Sequence, residues 1–246
     1  MDAVLVDDHK LLIKQQMVYV NHSNDVLDTI YLQNWANAYR DRNTPLAKRL
    51  LEDYNKSFYF SKEKDRGYSA IRFLQVNNLG ADFSEDQSRA DLIWVALKKS
   101  LTPGDSIVLN LEYEVRVPNS KYTRYGHGEG NYDLRYWYIT PAVYNGKWNL
   151  FSNLNMDDYF MEPTDYDIRF SVPIGYRLHT NLPSVPELSS DKVLYTIKDQ
   201  KRLDVEISIE YDNSFSVYKL DSLEVHTNLR SKNLTENLKE DVLQRQ

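Results

Sequence analysis

The chain has 246 residues, carries 30 Lys and Arg against 36 Asp and Glu for a net charge of −6, and contains no cysteine. Those values exclude disulfides, thiolate metal sites and cysteine nucleophiles, and they leave no basic stripe for the phosphates of a nucleic acid. With 41% hydrophobic and 27% charged residues the composition is that of a packed globular protein, and no apolar run approaches the roughly 20 residues that span a membrane.

From the N-terminus, Met1-Asp2-Ala3-Val4 lacks the charged and apolar regions of a signal peptide. The compartment stays open between the cytoplasm and the periplasm or exterior after loss of a leader. Two strands are predicted at 11–20 and 26–34, joined by Asn21-His22-Ser23-Asn24-Asp25 as a hairpin connection. A helix follows: Thr44 is its N-cap, Pro45 its first residue, and Ala47, Leu50, Leu51 and Tyr54 keep helical spacing. The basic stretch 62–66 is interleaved with Glu63 and Asp65 and reads as solvated surface. A strand at 71–76 ends in the turn Asn77-Asn78-Leu79-Gly80, and another strand covers 92–97.

The turn Leu101-Thr102-Pro103-Gly104-Asp105 opens the clearest strand. Ile107, Leu109, Leu111, Tyr113, Val115 and Val117 alternate with Asn110, Glu112, Glu114 and Arg116, and Pro118 closes it. The same period of two recurs in Tyr166, Ile168, Phe170 and Val172, and in Leu203, Val205, Ile207 and Ile209. Shorter strands are predicted at 176–180, 193–197, 215–220 and 223–227. A second helix starts near Asn233 with Glu236 as its capping-box partner and Leu238 and Val242 on its apolar face. It reaches Gln246 with no C-cap signal, so 1–232 is expected to be a β domain and 233–246 the start of a helix leading into a further domain. The expected fold is mostly β, antiparallel, a sandwich or curved sheets with one or two short helices.

Several stretches together resemble a known family. They are Leu27-Asp28-Thr29-Ile30-Tyr31-Leu32, Asn37-Ala38-Tyr39, the helix at Thr44, Phe58-Tyr59-Phe60, Asp65-Arg66-Gly67-Tyr68, the turn at Leu101, and above all Tyr136-Trp137-Tyr138-Ile139-Thr140-Pro141-Ala142-Val143-Tyr144 before Trp148. The order is similar to the N-terminal domain of bacterial aminopeptidase N-like proteins, the gluzincin zinc metallopeptidases. The resemblance implies a saddle-shaped β domain, itself without catalytic residues, that docks a thermolysin-like catalytic domain and shapes its peptide cleft. It places the zinc, the H-E-x-x-H helix and the loop binding the peptide's amine in that other domain. None of His9, His22, His127, His179 and His226 has a second histidine four residues on with Glu between, so no metal or cofactor is expected in this chain. Where the family carries a Phe-Pro-Cys-Phe-Asp-Glu-Pro-like stretch, this chain has Tyr138-Ile139-Thr140-Pro141.

Two groups are candidate site residues. Tyr132, Asp133, Arg135, Trp137 and Tyr138 form an aromatic and charged run that the resemblance places at the domain junction, where Asp133 could bind an ammonium and the rings support it. The plainer alternative is a strand with Trp137 in the core. Gly126, His127 and Gly128 lie in a glycine-rich loop, free to approach a partner domain or simply a surface loop. The acids Asp157, Asp158, Glu162, Asp165 and Asp167 do not have calcium-loop spacing and read as solvated carboxylates. A different class of function stays open: a free-standing β-sandwich module binding carbohydrate or protein through exposed Tyr and Trp.

Overall fold

The computed structural model describes residues 1–123, 125–128, 130–156, 158 and 160–211 in full, and the backbone of strands 216–220 and 223–227. In chain order the strands are β1 (Asp2–Val6), β2 (Lys10–Val20), β3 (Leu27–Gln33), β4 (Tyr68–Val76), β5 (Leu79–Gly80), β6 (Asp82–Glu85), β7 (Leu92–Leu101), β8 (Ser106–Arg116) and β9 (Gly126–Gly128). They continue as β10 (Asn131–Leu134), β11 (Thr140–Pro141), β12 (Thr164–Pro173), β13 (Tyr176–Thr180), β14 (Ser184–Leu188), β15 (Lys192–Arg202), β16 (Ile207–Tyr211), β17 (Ser216–Leu220) and β18 (Leu223–Thr227). One α-helix, α1 (Pro45–Glu52), and 3-10 turns at Trp35–Tyr39 and Glu63–Asp65 complete the described elements.

The fold is mostly β, as the alternation predicts. An eight-stranded sheet runs β14-β15-β12-β1-β2-β8-β4-β5, and two four-stranded sheets run β13-β16-β10-β9 and β11-β3-β7-β6. Its spine is the β2–β8 ladder, which pairs eleven residues from Lys10↔Arg116 to Val20↔Ser106. Along β8 the period of two is read out directly: Ile107, Leu109, Leu111, Tyr113 and Val115 are buried. One buried cluster joins these to Ala3 of β1, Leu11 and Ile13 of β2, Ile30 and Leu32 of β3, Ile93 and Val95 of β7, and Ile207 and Ile209 of β16. Each Leu, Ile or Val side chain among them contributes about 1.5–3 kcal/mol by leaving water. Among the described strands, pairings are antiparallel except β1 with β12, which runs parallel from Asp2↔Arg169 to Val4↔Ser171. A second unit follows Tyr211, and its described strands β17 and β18 pair antiparallel from Ser216↔Thr227 to Leu220↔Leu223.

Three expectations need correction. The segment 21–25 is not a hairpin connection: β2 belongs to the eight-stranded sheet and β3 to a four-stranded one. Buried Asn21 explains the crossing. Its amide N donates to Asp105 O (2.9 Å), and its Nδ2 donates to Leu101 O (3.1 Å) and Asp25 O (2.8 Å). The turn is thereby tied to 101–105, where β7 crosses to β8 between the same two sheets. Second, the strand predicted from Leu203 starts only at Ile207. Val205 O accepts from Trp137 Nε1 and Glu206 N donates to Asn181 Oδ1, so side chains satisfy backbone groups that a ladder would use. Third, 62–66 is not all solvated surface, since Asp65 and Arg66 are half-buried. Helix α1 is capped as expected, with Ala47 N donating to Thr44 Oγ1 at 3.3 Å. Leu238, Val242 and the rest of the predicted C-terminal helix lie outside the described residues.

Candidate functional site

The glycine-rich loop is a strand hairpin. β9 and β10 pair Gly126↔Asp133, His127↔Tyr132 and Gly128↔Asn131, and β10 continues on to β16. On its other side His127 N donates to Pro118 O (2.7 Å) and Ser120 N donates to His127 O (2.8 Å). Gly126 is required by contact: a Cβ there would stand 2.6 Å from Ser120 Cα. This pairing delivers His127 onto His9 in the β1–β2 turn. The two imidazoles stack with centroids 3.5 Å apart and an interplanar angle of 7°. His9 Nδ1 lies 2.9 Å from the Tyr132 hydroxyl. Burial and the neighbouring His9 push His127 down to about 4, and burial lowers His9 as well, opposed by Asp8. His9 was not singled out from the sequence; only its place in a tight turn marks it.

The aromatic and charged run divides. Trp137 is fully buried, packed edge-on against Phe170, and Tyr138 is buried with its hydroxyl donating to Tyr166 Oη at 3.0 Å. Both are core residues, so the structure gives them no route to a ligand. Asp133 is exposed and accepts from Ser208 Oγ at 3.0 Å. Arg135 pairs with Asp158 (3.1 Å) and Glu206 (2.8 Å) and lies 4.9 Å from the Tyr136 ring. Tyr136, at φ 51°, sets its ring edge-on to Trp35 with centroids 5.2 Å apart.

That contact leads to a feature the sequence reading missed. A groove of about 570 Å³ is lined by the apolar Trp35, Pro45, Phe151, Leu154 and Phe160 and by the charged Arg89 and Asp158. The irregular segment behind it is fastened by its backbone. Gln33 Nε2 donates to Asn149 O, and Trp35 Nε1 to Phe151 O at 2.9 Å. Asp91, entirely buried, accepts from Ser152 Oγ (3.0 Å) and Asn153 N (2.7 Å). The side chains project the other way: Phe151 is 52% exposed, Met156 60% and Phe160 47%. Together they expose more apolar surface than scattered single residues do. The only signal in the sequence was aromatic and aliphatic residues in a stretch with neither helical nor strand period.

Among the described residues no three acids or histidines converge as metal ligands. Asp158 and Asp167 are held by Arg135 and Lys198, and Asp165 accepts from Lys201 N. The stacked imidazoles present parallel faces rather than converging nitrogens, so the described residues do not fit a zinc ion. No described helix is long and apolar enough to cross a membrane.

No family model and no curated protein matches the sequence, but solved structures share the fold. An M1 zinc metallopeptidase from Deinococcus radiodurans is 11% identical, with a TM-score of 0.51 over 92% of this chain and 44% of its own. A two-domain M1 zinc metallopeptidase bound to L-tryptophan gives 11% identity and a TM-score of 0.53 over 97% of this chain and 50% of its own. The Deinococcus radiodurans enzyme bound to a Tyr-Ser-Ala substrate gives 10% and 0.53 over the same shares. The chain spans about half the length of these structures, and its fold is one found in M1 zinc metallopeptidases.

Proposed function

We propose that this fold serves here as the non-catalytic N-terminal domain of an M1-like zinc aminopeptidase, docking a peptidase domain and shaping its peptide cleft. The observation that carries the reading is the agreement of fold over nearly the whole chain with about half of a two-domain metallopeptidase. Zinc and the hydrolytic residues belong, on this reading, to the other domain, and the peptide is the substrate of the two together. The groove beside Trp35 supports it chemically. Phe151, Leu154 and Phe160 offer exposed apolar area in it, and Asp91 pins the chain between Phe151 and Leu154 through Ser152 Oγ and Asn153 N, which suits a permanent contact better than a transient one.

The test is expression of the natural reading frame that contains these residues. The expected product is a longer protein that binds zinc stoichiometrically and cleaves aminoacyl reporters. In it, Phe151→Ser with Phe160→Ser should lower activity and loosen the domains in limited proteolysis, while the isolated β domain keeps its melting temperature. A reading frame ending at Gln246, or a longer protein whose zinc half is indifferent to both substitutions, overturns the proposal. In the first case a free-standing binding module is what remains.

A further inference from the structure

A second site lies apart from the groove and does not depend on the peptidase reading. A pocket of about 430 Å³ opens where the 3-10 turn Glu63–Asp65 meets the start of β4. Three guanidiniums line it, from Arg40, Arg66 and Arg116, with the carboxylates of Glu63 and Glu85. Four of these five charges bear on fixed partners or face water. Arg40 is held by Glu85 (2.6 Å) and Asp41 (3.2 Å), and Arg116 by Asp8 (3.0 Å). Glu63 is exposed. Arg66 differs: it is half-buried, pairs with no described carboxylate, and its Nε is buried without a hydrogen-bond partner.

The backbone forces this arrangement. Gly67 lies so close to β8 that a Cβ would stand 2.6 Å from both Arg116 O and Pro118 Cδ. That approach seats Arg66 beside the end of β8 and keeps it from following the turn into solvent. Arg66 and Glu63 are three residues apart and line the same pocket, yet they form no ion pair. Ser69, 5% exposed, lines the same wall with its Oγ unpaired. A half-buried charge without a counter-charge costs folding free energy, and a ligand that brings the counter-charge recovers it.

We propose that this pocket binds a small zwitterion, a free α-amino acid or a dipeptide, with its carboxylate on Arg66 and its ammonium on Glu63. The pocket's own charges choose between ligand classes. The five side chains leave one net positive charge, enough for a monoanionic carboxylate, whereas a phosphate dianion meets Glu63 and Glu85 as well as the arginines. An ammonium group turns Glu63 from a repulsive neighbour into a partner. The volume is within the range of small-molecule sites and accommodates a dipeptide.

The experiment is an amide NMR titration of the 246-residue chain with Gly-Gly, and in parallel with N-acetylglycine, glycinamide and inorganic phosphate. The expected result is saturable shifts confined to residues 63–71 and the end of β8, with Gly-Gly binding in the range of about 1 mM or tighter. Removing either ligand charge should weaken binding about tenfold. Glu63→Gln, an exposed change that spares the fold, should remove the preference for Gly-Gly over N-acetylglycine. Arg66→Gln should abolish binding of both. No saturable shifts with Gly-Gly overturns the proposal. So does tighter binding of phosphate or N-acetylglycine than of Gly-Gly, which shows a plain anion site.

Discussion

At the scale of single residues, the stacked His9–His127 pair gives the clearest dependence on conditions. Folded His127 takes its proton at about 4, against 6.5 for an ordinary imidazole. Between those values the unfolded chain binds more protons than the folded one. Stability is therefore complete above 6.5 and drains as pH falls toward 4. The ring is half exposed, so screening reduces the effect to about 1 kcal/mol. The charges facing the pair act in both directions: Asp8 and Asp65 favour protonation, Arg116 opposes it. Urea midpoints at pH 7 and pH 5 should differ for the native chain and converge in His127→Gln; an undiminished difference in the variant would assign the dependence to other groups. Gly126 offers a steric test. Gly126→Ala must displace the backbone of Ser120 and should cost about 1–3 kcal/mol. Gly80→Ala, with nothing within 4 Å of its added Cβ, should stay within about 0.5 kcal/mol of the native chain.

At the scale of elements, Asp91 fastens the strand β7 to the irregular segment that walls the groove. Its burial raises its carboxyl above the ordinary range, while Asn153 N and the Ser152 hydroxyl oppose that rise. Asp91→Asn keeps one acceptor for Asn153 N and turns a donor toward Ser152 Oγ, so it should be nearly neutral. Asp91→Ala strands both partners and should cost about 1–3 kcal/mol, with hydrogen exchange accelerating first at Ser152 and Asn153. Equal losses in the two variants would show that packing volume, not hydrogen bonding, fixes the segment. The strands of strongest alternation were readable from the sequence because one face of each is buried: β8 and β12 follow Ile107–Val117 and Tyr166–Val172 almost residue for residue. The third fails at Leu203, which is 57% exposed, because Trp137 and Asn181 capture the neighbouring backbone. A period of two records which face is buried; it does not record who takes the hydrogen bonds. For the same reason the pairing partners of β2 and β3 were out of reach, since Asn21 decides them through contacts with a turn 80 residues away. Of the candidate site residues, His127 and Tyr132 do meet in space, while Trp137 and Tyr138, which fit an aromatic binding surface by composition alone, are core. The groove stayed hidden because irregular chain has no period to read.

At the scale of the whole molecule, the prediction is functional. The described residues bring no three ligating side chains together. Purified alone, the chain is expected to carry no stoichiometric zinc by metal analysis and to leave aminoacyl reporters uncleaved. Turnover abolished by a chelator would place a metal site among the residues left undescribed and would overturn the proposed division of labour between two domains. The parallel seam between β1 and β12 has a further consequence, in time rather than in space. Met1 N donates to Asp167 O and Arg169 N to Met1 O, so during synthesis β1 waits for a partner some 166 residues further along the chain. Until then β1 is a bare strand edge beside a nearly finished β2–β8–β4 sheet, open to pairing with a neighbouring nascent chain. Slow translation through 120–163 would lengthen that exposure, and aggregation on the polysome should rise with it.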